Sequence, residues 1–237
     1  MLKASMRDRL CKHVRHVAGI QSTSRPHFRA PPSDDYGGCV LDDGQLDRSA
    51  IAQLVLWLED AVAAGERWAT AMTLATVSED GRPSARAVLL KQLDDDGLVF
   101  FTNYGSRKAR ELAASPYAAV TFLWPGLNRQ ARVEGGVQRL TPEESDDYFR
   151  TRSLGSQISA WSSPQSRPIE SRKWLETRYA AAAARFVGRD VPRPVYWGGF
   201  RIAPDIVELW QGRPNRLHER VRYSRADGEW RLERLAP

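Results

Sequence analysis

Short β-type segments separated by turn signals dominate this chain and restrict the folds open to it. Three of them, residues 70–77, 85–93 and 98–103, are rich in β-branched, leucine and aromatic residues. The sequences Glu79-Asp80-Gly81 and Asp94-Asp95-Asp96-Gly97 stand between them and are typical of tight turns. Closely spaced strands of this kind predict an antiparallel sheet.

The same pattern returns further along the chain, interrupted by a few helical segments. Further strands are predicted over residues 118–124, 130–140, 196–203, 206–210, 218–224 and 229–235. Helices are predicted over residues 47–64, 106–114 and 168–187, and from Thr141 onward. Ser106 and Thr141 are suited to cap their helices, and Gly65 to end the first one. We therefore expect a mainly β fold with peripheral helices (α+β), built as a barrel with the helices outside it.

The net charge of +6 is concentrated at the N-terminus. Residues 1–30 contain seven Lys or Arg and a single acid, so the rest of the chain is balanced. We interpret residues 1–40 as a basic arm and residues 41–237 as a single domain. Such an arm can bind nucleic acid or a membrane surface, but a charge run is more often solvated chain. No nucleic-acid partner is expected.

Several classes of protein are excluded by what the sequence lacks. No stretch approaches the roughly 18 apolar residues of a membrane span, and no signal peptide is recognisable, so a cytoplasmic location is expected. The glycine-rich nucleotide motifs and the HExxH zinc motif are missing. Cys11 and Cys39 have no metal-ligand spacing, and no metal site is expected.

Two clusters of cations indicate an anionic ligand. Arg107 and Lys108 follow Ser106 at a helix start, where cations are unfavourable unless an anion is bound. Arg216 and Arg220 flank His218 at two-residue spacing, which on a strand would put all three on one face. Both clusters suit a phosphate or carboxylate ligand.

Taken together, these segments resemble the pyridoxine/pyridoxamine 5′-phosphate oxidase family from about residue 36 to the end. The matching runs are RAVLLK (86–91), FFTNYGSRK (100–108), RQARVEG (129–135), ESDDYF (144–149), SQI (156–158), QS (165–166), WGG (197–199) and LWQGRPNRLHER (209–220). The resemblance implies a split β-barrel of the FMN-binding type and a homodimer with FMN at the subunit interface. It further implies oxidation of pyridoxamine and pyridoxine 5′-phosphate by O2 to pyridoxal 5′-phosphate, with release of H2O2.

The resemblance also assigns site residues, carried over position by position. The FMN contacts would be Arg86, Ala87, Val88, Leu89, Leu90, Lys91, Phe101, Thr102, Arg107, Lys108, Gln130, Gln165, Ser166, Trp210 and Arg220. The substrate would be bound by Lys91, Tyr148, Arg152, Ser156, Arg216, Leu217 and His218. Arg216 and His218 would be the catalytic pair, lying over the pyridine ring of the substrate.

Two other functions stay open on the sequence. One is a related flavin oxidase acting on another aromatic ring, as in phenazine biosynthesis, where sequences like RLHER also occur. Lys91, Tyr148, Arg152 and Ser156 argue against it, because a substrate without phosphate does not need all four. The other is a protein that binds flavin or pyridoxal phosphate without turnover.

Overall fold

The computed structural model describes Leu41 and residues 46–237. The predicted basic arm over residues 1–40 and both cysteines lie outside the described residues. Within the described part of the chain, nine strands form one sheet in which every pairing is antiparallel. The predicted mainly β class with peripheral helices is confirmed.

The bounds of the elements are as follows. The strands are β1 (Ala71–Val77), β2 (Pro83–Leu89), β3 (Gln92–Asp94), β4 (Gly97–Asn103), β5 (Tyr117–Trp124), β6 (Arg129–Arg139), β7 (Trp197–Gln211), β8 (Glu219–Ala226) and β9 (Glu229–Arg234). The α-helices are α1 (Ala50–Ala63), α2 (Arg107–Ala114), α3 (Pro142–Thr151), α4 (Leu154–Ser162) and α5 (Arg172–Arg185). Within residues 46–237, two short 3-10 turns cover Pro125–Leu127 and Pro214–Arg216.

The long strand β7 is the branching point of the sheet. The strand order is β2-β1-β5-β6-β7-β4-β3, with β8 also paired to β7 and β9 paired to β8. One edge of β7 pairs with β6 along nearly its whole length. The other edge is shared, because residues 197–202 pair with β4 and residues 206–211 pair with β8. The two ends of β7 therefore belong to different parts of the sheet.

Several predicted boundaries are wrong. The strands expected over residues 196–203 and 206–210 are one strand, because Pro204 lies at a bulge where the register with β6 shifts. The strand expected over residues 85–93 is two strands, with a break at Leu90 and Lys91. The helix α4 was not predicted at all.

The helix caps follow the sequence signals. Ser49 caps α1 by accepting a hydrogen bond from the Ala52 backbone N–H, so this helix begins three residues later than predicted. Gly65 follows its end with φ +78°, a conformation that glycine adopts without strain. Thr141 and Glu144 form the predicted capping box of α3, with Pro142 at the first helical position.

The core lies between α1 and the sheet. Leu54 and Trp57 of α1 are buried together with Phe122 and Trp124 of β5 and with Phe100 of β4. A second, smaller apolar cluster has five buried members: Phe149, Ile158, Ala160, Val191 and Trp197. This second cluster supports the site described below.

Gly135 is required where β6 and β7 approach each other at the bulge. A Cβ on Gly135 would lie 1.9 Å from the backbone oxygen of Ala203, which cannot move without breaking the sheet. We expect Gly135→Ala to lower the free energy of unfolding by about 2 kcal/mol, and the Tm by about 4–8 °C. Gly136→Ala is the matched control, because nothing lies within 4 Å of its Cβ position. Equal melting temperatures of the two variants would contradict the close approach.

Candidate functional site

A cleft with a volume of about 340 Å³, here called the main cleft, is lined by residues of β2, β4, α3 and α4, by Lys108 of α2 and by Trp197 of β7. Among the predicted site residues it brings together Ala87, Val88, Leu89, Lys91, Phe101, Thr102, Lys108, Tyr148, Arg152 and Gln165. These residues come from five separate segments of the sequence. Their lining of one cleft is the arrangement expected of a ligand site.

Stacked aromatic rings hold one wall of the main cleft. The rings of Phe101 and Tyr148 are stacked at 3.8 Å between centroids, and the Trp197 ring is stacked 5.4 Å from Phe101. The guanidinium of Arg152 lies 4.5 Å from the centroid of Trp197. The backbone at this point ends α3, so the helix end and the stack together fix where Arg152 points.

Arg152 has donor groups that the described protein does not use. Its Nη1 is buried and has no hydrogen-bond partner among the described residues. Burial lowers the pKa of the Arg152 guanidinium, since the charged form loses hydration. A buried guanidinium nitrogen without an acceptor is costly, and an anion in the cleft would satisfy it.

Lys108 is a second cation that lines the main cleft. It is 8% exposed, and its Nζ donates to Thr102 Oγ1 at 3.2 Å. No carboxylate lies within ion-pair distance of it in the described part of the chain. Burial lowers the pKa of Lys108, the nearby positive charge of Arg86 lowers it further, and the negative charge of Glu111 offsets part of this lowering. An anionic ligand would therefore stabilise this buried ammonium group as well.

Hydrogen bonds orient the amide of Gln165. Its Oε1 accepts from Thr102 Oγ1 at 2.9 Å and from the Asn103 backbone N–H at 3.2 Å. Because the oxygen is engaged, the NH2 group is the end with which Gln165 can donate to a ligand. The next residue, Ser166, has a φ of +67°, which is uncommon for a residue other than glycine.

Four other predicted site residues lie outside the main cleft. Arg86 and Arg107 both bind the buried carboxylate of Glu111. Leu90 is buried in the core. Ser156 lies on α4, where its hydroxyl accepts a hydrogen bond from Ser153. The predicted phosphate seat at the start of α2 is therefore divided, with Lys108 facing the cleft and Arg107 facing Glu111.

The remaining predicted residues form a second group at the far end of β7, here called the tail cluster. Gln130, Trp210 and Arg220 are in register on the adjacent strands β6, β7 and β8. Arg220 binds the buried Glu208 through Nε and Nη2, both at 2.9 Å. The His218 ring lies 4.7 Å from that of Trp210. Arg216, Leu217 and Ser166 are also outside the main cleft, and the first two belong to the tail cluster by position.

The prediction that residues 216–220 share a strand face is wrong. Arg216 ends a 3-10 turn, and β8 begins only at Glu219. Asn215 and Arg216 have φ of 58° and 61°, a left-handed conformation that costs energy in residues with a Cβ. The Arg213 backbone N–H donates to His218 Nδ1 at 3.1 Å, which places the proton of a neutral imidazole on Nε2. The turn thus fixes the orientation of the His218 ring.

Sequence reasoning missed part of the main cleft. The lining residues that were not assigned are Asn103, Ser159, Ala160, Ser163 and Trp197. Asn103 and Trp197 lie inside quoted motifs, which is the signal that could have identified them. Ser159 and Ala160 belong to α4, the helix that was not predicted.

Comparison with known protein families gives two matches that together span most of the chain. The model of the pyridoxamine 5′-phosphate oxidase family matches residues 58–186. The model of the pyridoxine 5′-phosphate oxidase C-terminal dimerisation region matches residues 197–237. In the described residues, no helix is both long enough and apolar enough to cross a membrane.

Similar proteins agree with these matches. A pyridoxine/pyridoxamine 5′-phosphate oxidase of Rubrobacter xylanophilus is 52% identical over 203 residues, covering 86% of this chain and 94% of that protein. One of Pseudomonas putida is 51% identical over 205 residues, covering 86% of this chain and 95% of that protein.

Solved structures share the fold. PhzG from Burkholderia lata, in complex with tetrahydrophenazine-1-carboxylic acid, has a TM-score of 0.80 and 32% identity, covering 84% of this chain and 99% of that one. A pyridoxamine 5′-phosphate oxidase-related, FMN-binding protein from Nostoc punctiforme has a TM-score of 0.60 and 21% identity, covering 80% of this chain and 96% of that one. The predicted split β-barrel of the FMN-binding type is confirmed, and the chain belongs to the pyridoxamine 5′-phosphate oxidase family.

Proposed function

We propose that this protein is an FMN-dependent oxidase that converts pyridoxamine 5′-phosphate and pyridoxine 5′-phosphate to pyridoxal 5′-phosphate. O2 is the acceptor and H2O2 the second product. The observation that carries the proposal is the convergence of Lys91, Lys108 and Arg152 on one aromatic-walled cleft. Two of these three cations are buried or half-buried without a carboxylate partner, as two phosphorylated aromatic ligands would require.

The lining residues around Lys108 fit FMN. The buried ammonium of Lys108 supplies a charge for the flavin phosphate, and Arg107 lies next to it at the start of α2. Gln165 offers its amide NH2 to an acceptor on the ring edge. The exposed face of β2, with Ala87 and Leu89, provides a flat apolar surface along the flavin.

A second phosphate site is proposed around Arg152 in the same cleft, for the substrate. Arg152 would donate its buried Nη1 to the phosphate, and Lys91 would add a second positive charge. The Tyr148 hydroxyl would fix the direction of the phosphate oxygens. An aromatic ring carrying a phosphate arm suits this combination of stacked rings and cations.

We further propose a homodimer in which the tail cluster of one protomer completes the main cleft of its partner. Trp197 lies in the main cleft and Trp210 in the tail cluster, thirteen residues apart on one strand. A strand rises about 3.3 Å per residue, so the two groups are separated by up to about 40 Å along β7. Residues 197–237 match a dimerisation region. This match supports the proposal that the tail cluster of a second copy completes the main cleft.

The chain itself binds and orients, while the redox step belongs to the cofactor. When bound, FMN supplies two-electron acceptor chemistry at the carbon to be oxidised and transfer of these electrons to oxygen. Arg216 would press the pyridine ring of the substrate into contact distance, held for this task by its left-handed turn. His218 would donate from Nε2 to a polar group of the substrate. A cytoplasmic location stays a prediction.

Arg216→Ala should lower kcat about thirtyfold and leave FMN affinity almost unchanged. This corresponds to about 2 kcal/mol of lost positioning in the transition state. Steady-state kinetics and flavin fluorescence titration measure the two quantities. Arg225→Ala is the control, because this arginine is exposed on β8 away from the turn. Equal losses of kcat and FMN affinity would assign Arg216 to the cofactor instead.

The function itself is tested with an oxygen electrode on FMN-loaded protein. Pyridoxine phosphate, pyridoxamine phosphate, their unphosphorylated forms and a tetrahydrophenazine carboxylic acid are offered in parallel. We expect oxygen uptake only with the phosphorylated pair, accompanied by the absorbance of pyridoxal phosphate. Uptake only with a tetrahydrophenazine carboxylic acid would instead indicate a phenazine oxidase. A flavin-loaded protein that consumes no oxygen with any of them would indicate a binding protein.

A further inference from the structure

One buried carboxylate takes part in nothing assigned above. Glu111 lies on α2, one turn after Arg107, and is 6% exposed. It accepts hydrogen bonds from Thr76 Oγ1 at 2.5 Å and from Ser84 Oγ at 2.8 and 3.0 Å. Arg107 Nε donates to it at 2.7 Å, and Arg86 Nη2 at 3.0 Å. Residues from β1, β2 and α2 thus meet at one carboxylate.

We propose that Glu111 is a positioning residue that holds Arg86 and Arg107 beside the phosphate of bound FMN, an inference that rests on the proposed flavin site. Arg107 donates to Glu111 through Nε alone, so both of its Nη groups remain to donate to a phosphate. Arg86 is held through Nη2, and through Nη1 by Leu74 O and Thr76 Oγ1. Together with the bond from Nη2 to Ser84 Oγ, these contacts fix both Nη groups of Arg86 and leave its Nε to donate to a phosphate.

The charges at this point match a phosphate monoester. Arg86, Arg107 and Lys108 are adjacent cations that repel one another, and Glu111 binds two of them. Three cations and one carboxylate leave a net charge of +2. A phosphate monoester carries about −1.5 to −2 at neutral pH. With Glu111 present, the net charge of the cluster matches that of a phosphate monoester. The carboxylate also keeps the arginines together when no phosphate is bound.

Glu111 keeps its charge over the whole working range of pH. Burial alone would raise the pKa of this carboxyl, but hydrogen bonds from Thr76, Arg107 and Ser84 hold it down to about 2. The carboxylate therefore holds the two arginines equally well at any neutral or mildly acidic pH.

The experiment compares FMN with riboflavin, which has the same ring system and no phosphate. Flavin-free, full-length Glu111→Gln protein is titrated with each flavin, and binding is followed by quenching of flavin fluorescence. We expect the ratio of FMN affinity to riboflavin affinity to fall about tenfold relative to the wild type, while riboflavin affinity changes little. A residue that only supports the fold would weaken both flavins equally and leave the ratio unchanged.

A double variant tests whether Glu111 acts through its neighbour. Arg107→Met should by itself lower the ratio of FMN affinity to riboflavin affinity. Adding Glu111→Gln to this variant should lower the ratio further by a factor clearly smaller than ten. Asp80→Asn is the control, because this exposed carboxylate pairs with Arg82 on the neighbouring turn. If Glu111→Gln does not fold, Ser84→Ala removes one of the donors to Glu111 and should lower the ratio about threefold.

The outcomes separate this inference from the proposed function. If wild-type protein binds FMN no more tightly than riboflavin, the phosphate site itself is wrong, and the proposed function loses its cofactor. If the wild type prefers FMN but Glu111→Gln keeps or increases that preference, only the role of Glu111 is overturned.

Discussion

Arg152→Ala is expected to raise the KM for pyridoxine phosphate about a hundredfold while leaving kcat and FMN affinity nearly unchanged. The buried Nη1 of Arg152 has no acceptor within the described protein, and the guanidinium is fixed against Trp197. A charge-assisted hydrogen bond to phosphate contributes about 3 kcal/mol, which corresponds to that factor in binding. Because the phosphate is remote from the reacting carbon, the loss should appear in KM rather than in kcat.

Arg150→Ala is the matched control for this experiment. Arg150 lies two residues earlier on α3, is exposed, and pairs with Asp147. Its removal should leave both kinetic constants unchanged. Arg152→Lys should fall between the wild type and Arg152→Ala, since lysine keeps the charge but not the planar donors. An unchanged KM for Arg152→Ala would place the substrate phosphate elsewhere, and a parallel loss of FMN affinity would assign Arg152 to the flavin.

The strands that carry the site could be predicted, because turn signals and β-rich segments alternate regularly. The helix α4 could not be predicted from the sequence. Its sequence of small and polar residues, Leu154–Ser162, has no strong apolar stripe, and Ser153 makes no side-chain capping bond. That helix forms because Ile158 and Ala160 pack against Trp197 and Phe149, contacts that no local pattern contains.

The different orientations of two neighbouring cations also became clear only from the structure. Arg107 and Lys108 stand together in the sequence, but successive residues of a helix point about 100° apart. Only Lys108 faces the main cleft, and Arg107 pairs with Glu111 one turn on. The four-residue spacing of Arg107 and Glu111 was visible in the sequence, whereas the burial of that carboxylate was not. The separation of the tail cluster from the main cleft likewise depends on the length of β7.

Lys108→Met is expected to change stability and ligand binding in opposite directions. The variant should lose about a hundredfold in FMN affinity, since it removes a charge-assisted bond to the flavin phosphate worth about 3 kcal/mol. The flavin-free variant should be more stable than the flavin-free wild type by about 1 kcal/mol, or about 2–4 °C in Tm. A methionine fills the same buried space without a charge, whereas the buried ammonium of Lys108 donates to the hydroxyl of Thr102.

The pH dependence of this difference identifies its cause. Burial lowers the pKa of Lys108 in the folded protein below its ordinary value of 10.5, so between the two pKa values the unfolded chain binds more protons. The wild type should therefore gain stability as pH rises through that window, and the gap to Lys108→Met should close by about pH 10.5. Lys173→Met is the control, the same change at an exposed position on α5. Calorimetry of the flavin-free proteins across pH 7–10.5 measures the gap. If the stability difference does not vary with pH, the variant is stabilised by packing. The buried charge of Lys108 then does not destabilise the flavin-free protein.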